Sequence, residues 1–129
     1  MIQPLFLTQS GGYFLTWTAT DVSSTNYGLL GIVDAAGHLQ IRSLDQNLQL
    51  APLGDIEVNS EKSLCLSLDW TTRTGSGARA VISQSNGTLA LVPSFEKPLV
   101  ETWDAHAYES WICAWSRWND NIVWSGASY

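Results

Sequence analysis

The chain has 129 residues, is 45% hydrophobic, and carries a net charge of −6 with only 14% charged residues. That length and apolar content suit a folded domain with a real core and exclude a disordered segment. The six basic residues, Arg42, Lys62, Arg73, Arg79, Lys97 and Arg117, are scattered, which excludes a nucleic-acid footprint built on clustered positive charge.

Taken in chain order, short strands separated by turn signals dominate, and no helical period is sustained. The pattern predicts strands near 12–18, 28–34, 38–44, 48–58, 63–70, 79–84, 88–93, 98–104, 110–117 and 121–126. Hairpin turns fall at Asp34-Ala-Ala-Gly37 and Ser85-Asn86-Gly87, and Asn86-Gly87-Thr88 reads as a turn and not as a glycosylation site. The Ser-, Thr- and Gly-rich stretches 20–26 and 71–78 read as surface connections. No run is apolar for long enough to span a membrane. The first seven residues lack the basic region and apolar length of a secretory leader, so a cytoplasmic location is expected. Cys65 and Cys113 are the only cysteines and show no metal-ligand spacing, so both are expected as buried free thiols, with no metal site.

A repeat organises these elements. Leu64-Cys-Leu-Ser-Leu-Asp-Trp70 aligns without a gap on Ile112-Cys-Ala-Trp-Ser-Arg-Trp118, at an offset of 48 residues. Gly37-His-Leu-Gln-Ile41 aligns on Gly87-Thr-Leu-Ala-Leu91 at an offset of 50. A period near 50 with about four strands per period points to propeller blades. The fold class read from this is all-β: a partial β-propeller of about two and a half four-stranded antiparallel blades, at about 12–58, 63–104 and 110–126. Along the inner strand of the second blade, Leu64, Leu66, Leu68 and Trp70 are expected on one face, with Ser63, Cys65, Ser67 and Asp69 on the other. Trp17, Trp70 and Trp118 recur at equivalent places and are expected in the core, while Trp111, Trp115 and Trp124 are free to line a surface. A closed propeller needs more blades, and the charged fraction is below the roughly 25% of a typical domain. The open edges are therefore expected to meet remaining blades or a second copy.

The last quarter holds five of the seven tryptophans. Its pattern is Trp103-x-Ala105-His106-x-Tyr108-Glu109-x-Trp111-Ile112-x-Ala114, then Trp118-x-x-x-Ile122-Val123-x-Ser125-Gly126. This pattern, with Leu29–Gln40, Cys65–Trp70 and Val81–Leu89 in the same order, resembles the WD-repeat diphthine methyl esterase family over roughly residues 12–126. The resemblance covers that family's N-terminal to middle blades. It implies a cytosolic enzyme of diphthamide biosynthesis that hydrolyses the methyl ester of diphthine on elongation factor 2, with no metal or organic cofactor. The present chain is expected to be inactive without the remaining blades. Where the family continues Ser-Gly-Gly-Asp-Asp, this chain reads Ser125-Gly-Ala-Ser-Tyr129. The missing turn acid requires Ser128 or Tyr129 to serve His106 in its place, or His106 to be held differently.

Ester hydrolysis needs a base, an activated water or nucleophile, and oxyanion donors. His106 and Glu109 are the candidate catalytic residues: His106 as base, and Glu109 to orient it or to activate water. Asp104 is a second orienting acid and Ser110 a conceivable nucleophile, although no Gly-x-Ser-x-Gly elbow is present. Each has a plainer reading. A histidine just before an inner strand anchors a propeller blade, and Glu109 is then a solvated loop acid; the whole is then a non-catalytic WD-repeat scaffold. His38 and Trp103-Asp104 mimic repeat signatures but fall in a third and a fourth strand, so neither marks a repeat.

Overall fold

The computed structural model describes residues 13–18, 28–44, 47, 49–59, 63–71, 79–93, 99–119 and 121–127. Ten strands follow in chain order: β1 (Tyr13–Thr18), β2 (Gly28–Asp34), β3 (His38–Leu44), β4 (Leu50–Glu57), β5 (Cys65–Thr71), β6 (Arg79–Gln84), β7 (Thr88–Val92), β8 (Glu101–Asp104), β9 (Ser110–Trp115) and β10 (Val123–Ala127). They form two four-stranded antiparallel sheets, β1-β2-β3-β4 and β5-β6-β7-β8, and a hairpin, β9-β10. This is the up-and-down order of propeller blades, two and a half of them, and among the described residues they do not close into a ring. The connection predicted over 20–26 lies outside the described residues, as does that predicted over 71–78 except for Thr71, which closes β5.

The two predicted hairpin turns form as their residues dictate. Gly37 and Gly87 sit at φ 84° and 88°, a left-handed conformation that glycine reaches without strain. Asp34 Oδ1 accepts from the amides of Ala36 and His38 at 2.9 and 3.0 Å. Asn86 Oδ1 accepts from the amide and hydroxyl of Thr88 at 3.1 and 2.6 Å. These Asx contacts satisfy amides the ladders leave unpaired.

The main core lies where the first two blades meet. It joins Val33, Leu39, Ile41, Ile56 and Val58 of the first blade to Cys65, Leu68, Trp70, Ile82 and Val92 of the second. Its tightest point is Gly31, where a Cβ would stand 2.4 Å from Trp70 Cζ2 and 2.9 Å from Leu68 Cδ2. The absent side chain is what lets the indole lie on β2. A second cluster, Val81, Leu89, Cys113 and Trp115, joins the second blade to β9.

The seam between β5 and β9 is also polar. Ser67 Oγ accepts from the amide of Cys113 at 3.0 Å, and Asp69 Oδ2 accepts from the amide of Trp115 at 2.7 Å. These buried amides of β9 therefore find side-chain partners on the neighbouring blade, as buried donors must.

Two expectations about faces are corrected. Cys65 shares the first-blade face with Leu68 and Trp70, not the opposite face with Ser67 and Asp69. The reason is a β-bulge: Cys65 pairs with Gln84 and Ser67 with Ser83, so Leu66 is an extra residue that shifts the alternation by one. Leu64 lies exposed ahead of the strand and takes no place in the core. Trp118 is not a core residue. It is 90% exposed, while Trp115 is 8% exposed and occupies the core position. β9 ends at Trp115, and Ser116 then turns the chain outward, its Oγ accepting from the amides of Trp118 and Asn119 at 3.2 and 3.3 Å. With the bulge counted, Trp115 pairs with Val123 two places from the repeat cysteine, as Leu68 pairs with Ile82. Trp17 lies on β1, whose side chains are outside the described part of the structure.

Candidate functional site

His106 lies in the short connection from β8 to β9, held by the preceding blade's own turn. The carbonyl of Gly87 accepts from the amides of Ala105 and His106 at 3.1 and 3.0 Å. The approach is so close that a Cβ on Gly87 would stand 2.3 Å from the His106 carbonyl oxygen. The imidazole then bonds across the blade, Nε2 to Ser125 Oγ at 2.9 Å. Ser125 sits on β10 opposite Cys113. His106 is thus held by Ser125, which stands in the sequence pattern but is not the partner expected from it; Ser128 and Tyr129 lie outside the described residues.

The same construction recurs one blade earlier with different residues. Gly37 accepts from the amides of Val58 and Asn59 at 2.7 and 3.4 Å. Asn59 Nδ2 donates to Gln84 Oε1 at 2.5 Å, and Gln84 pairs with Cys65 as Ser125 pairs with Cys113. Asn59 therefore stands where His106 stands, and Gln84 where Ser125 stands. The near-50 period was the available signal, since Asn59 falls 47 residues before His106.

The other candidates are placed less closely. Glu109 is exposed on the loop ahead of β9, and no hydrogen bond or ion pair joins it to His106 among the described residues. Ser110 is fully buried and its Oγ has no partner. Asp104, at the end of β8, is exposed and lines a polar cleft of about 550 Å³ together with Glu57, Asn59 and Gln84.

No family model matches the chain. A human protein named diphthine methyltransferase is 36% identical over 114 residues, which are 78% of this chain and 25% of that protein. The mouse protein of the same name is 31% identical over 125 residues, 87% of this chain and 26% of its own length. A Schizosaccharomyces pombe diphthine methyltransferase is 29% identical over 110 residues, with coverages of 85% and 31%. This chain is related to the diphthine methyltransferases. It spans about a quarter to a third of the length of these relatives.

Within this diphthine methyltransferase relative the thiols are poor nucleophiles. Burial pushes Cys65 up to about 12, helped by the charge of Asp34. Burial likewise pushes Cys113 up to about 11, against the lowering effect of its bonds to Ser67 and Ser83. Neither is a thiolate at neutral pH, and both serve the blade seams. Ser110, closed off from solvent, offers its hydroxyl to no approaching ester in this arrangement. The solvent-facing ionisable groups at this end of the blades include the imidazoles of His106 and His38, the latter 3.0 Å from Asp55, and the carboxylates of Glu57, Asp104 and Glu109.

Proposed function

We propose that the chain supplies blades of a WD-repeat propeller that hydrolyses the methyl ester of diphthine on elongation factor 2, in the cytoplasm, as a step of diphthamide biosynthesis. The observation that carries this reading is the match to diphthine methyltransferases over more than three quarters of the chain. In the reaction, water adds to the ester carbonyl carbon, the bond from that carbon to the methoxy oxygen breaks, and methanol leaves with a proton. His106 is the base and Glu109 the acid that steadies it or the water in the catalytic version of the site.

The test measures methanol released from diphthine-bearing elongation factor 2 by the full-length protein. In parallel it measures methyl incorporation from S-adenosylmethionine, the direction the relatives' name describes. Methanol release supports hydrolysis. Incorporation with no methanol replaces it with methyl transfer.

A second reading, a non-catalytic protein-binding propeller, is favoured by the engagement of His106 Nε2 with Ser125. Under it, the full-length protein releases no methanol, and His106→Asn acts only on folding, through loss of the bond to Ser125. Under the catalytic reading, turnover falls about 100-fold or more in a variant that still folds.

A further inference from the structure

One face of the first blade departs from the apolar pattern of the seams. Val33, Leu39 and Ile41 turn toward the second blade, so Leu30 and Ile32 of β2 share the opposite face with Gln40 and Arg42 of β3. Gln40 stands across from Ile32, and Arg42 across from Leu30. At the repeat offset of 50, Gln40 falls on Ala90 and Arg42 on Val92, both fully buried in the core between the first two blades. The second blade meets its neighbour there with apolar side chains; the first carries an amide and a guanidinium at the same places.

These two groups line a cleft of about 490 Å³, within the range of small-ligand sites. A β-bulge shapes its wall: Leu53 is an extra residue of β4 between Pro52, opposite Arg42, and Gly54, opposite Ile41. Arg42 is the one cation of the lining. Its Nη2 donates to Gln40 Oε1 at 3.3 Å, while its Nε is buried with no partner. A buried, unspent guanidinium donor requires an acceptor. Gln40 turns its Oε1 to Arg42, so its Nε2 is a second donor beside the first. Asp55 does not fill the need. Its Oδ1 lies 3.0 Å from His38 Nδ1, and no bond joins it to Arg42 among the described residues.

We propose that this cleft of the first blade binds a small aliphatic carboxylate. The carboxylate accepts from the guanidinium of Arg42 through its Nε edge, the fork geometry that suits two oxygens, and from the Gln40 amide. The aliphatic body lies against Pro52 and Leu53, and covers a Leu53 side chain that is otherwise 59% exposed. A strand from another protein is the poorer occupant, because Pro52 has no N–H to offer and the bulge interrupts the edge of β4. The site is on the first blade, whereas His106 follows the second, and it does not depend on ester hydrolysis.

The experiment titrates the isotopically labelled full chain with isovalerate and with its uncharged isostere, isovaleramide, following the Arg42 Nε–H and Gln40 side-chain amide resonances. Isovalerate is expected to shift both saturably, and isovaleramide to bind at least about tenfold more weakly. Arg42→Met keeps the apolar stem without the charge and should abolish the Gln40 shift while the backbone spectrum stays folded. Should that variant fail to fold, Arg42→Lys decides: it keeps the charge without the fork, and should weaken isovalerate at least about threefold. Equal binding of acid and amide, shifts that bypass Arg42, or binding unchanged by Arg42→Lys overturns the site. A blocked glutamyl peptide that binds where isovalerate does not also overturns it, since the face is then a docking surface for an acidic segment.

Discussion

His106 and Asn59 solve one problem with different chemistry. Each connection between blades must lock the incoming strand to the blade before it, and each does so with a glycine carbonyl below and a side-chain bond across. The bond from His106 to Ser125 is exposed to solvent, so its net worth is about 1 kcal/mol. Ser125→Ala is therefore expected to lower stability by about that amount in urea denaturation. A double-mutant cycle with His106→Ala should return a coupling of about 1 kcal/mol, and zero coupling would show that the imidazole is not an anchor. The histidine was legible in the sequence because its neighbours are distinctive. Asn59 was harder to read: its place 47 residues before His106 is its one signal, and the asparagine itself is undistinguished until the geometry pairs it with Gln84.

At the level of strands, most of the fold was readable and the failures share a cause. All ten predicted strands form, because alternation and the Asp34–Gly37 and Ser85–Gly87 turns are local signals. The bulge at Leu66 is not local: it is set by how β5 must meet both β6 and the first blade, and it displaces Cys65 to the other face. The gapless alignment of Trp70 on Trp118 hid this, since an extra residue in one strand and an early end in the other leave no gap in the sequence. Gly31 tests the packing that results. Gly31→Ala drives a methyl into the Trp70 ring and Leu68, and is expected to cost about 1–3 kcal/mol, the range for an overpacked core. Gly54→Ala, where nothing lies within 4 Å, should change stability by no more than about 0.5 kcal/mol. Thermal melts of the two variants make the comparison, and equal shifts would refute the close approach of β2 to Trp70.

Two properties belong to the whole molecule. The first is its response to alkali, because both thiols are buried in seams between blades. Folded pKa values of about 12 for Cys65 and about 11 for Cys113 lie above the ordinary 9.0. Below pH 9 both thiols are neutral in either state, and their contribution to stability is fully present. Between about pH 9 and 11 the unfolded chain loses protons that the folded chain keeps. Stability should therefore fall by about 1.4 kcal/mol per pH unit for each thiol, and the loss should be complete as pH passes the folded values. Cys65→Val with Cys113→Val should flatten that part of a denaturation-against-pH curve, whatever the substitutions do to stability at pH 7.

The second is the open side of β9–β10. Cys113 and Trp115 turn toward the second blade, so Ile112, Ala114 and Trp124 share the opposite face, with Trp124 directly across from Ala114. Ile112 is 61% and Trp124 63% exposed, beside strands whose other face is dry. The corresponding side of the second blade, carrying Ser67, Val81 and Leu89, is hidden because β9 covers it. A large apolar sheet face left to water favours association, and a further blade or a second copy both meet the requirement. The isolated chain is therefore expected to associate as its concentration rises from about 5 to 200 µM in sedimentation velocity. Ile112→Thr with Trp124→Thr keeps β-forming residues on the strands and removes most of the apolar area. It should weaken association at least about tenfold, equivalent to about 1.4 kcal/mol. A chain that stays monomeric over that range, and whose sedimentation is unchanged by the double substitution, would show that this face is stable in water.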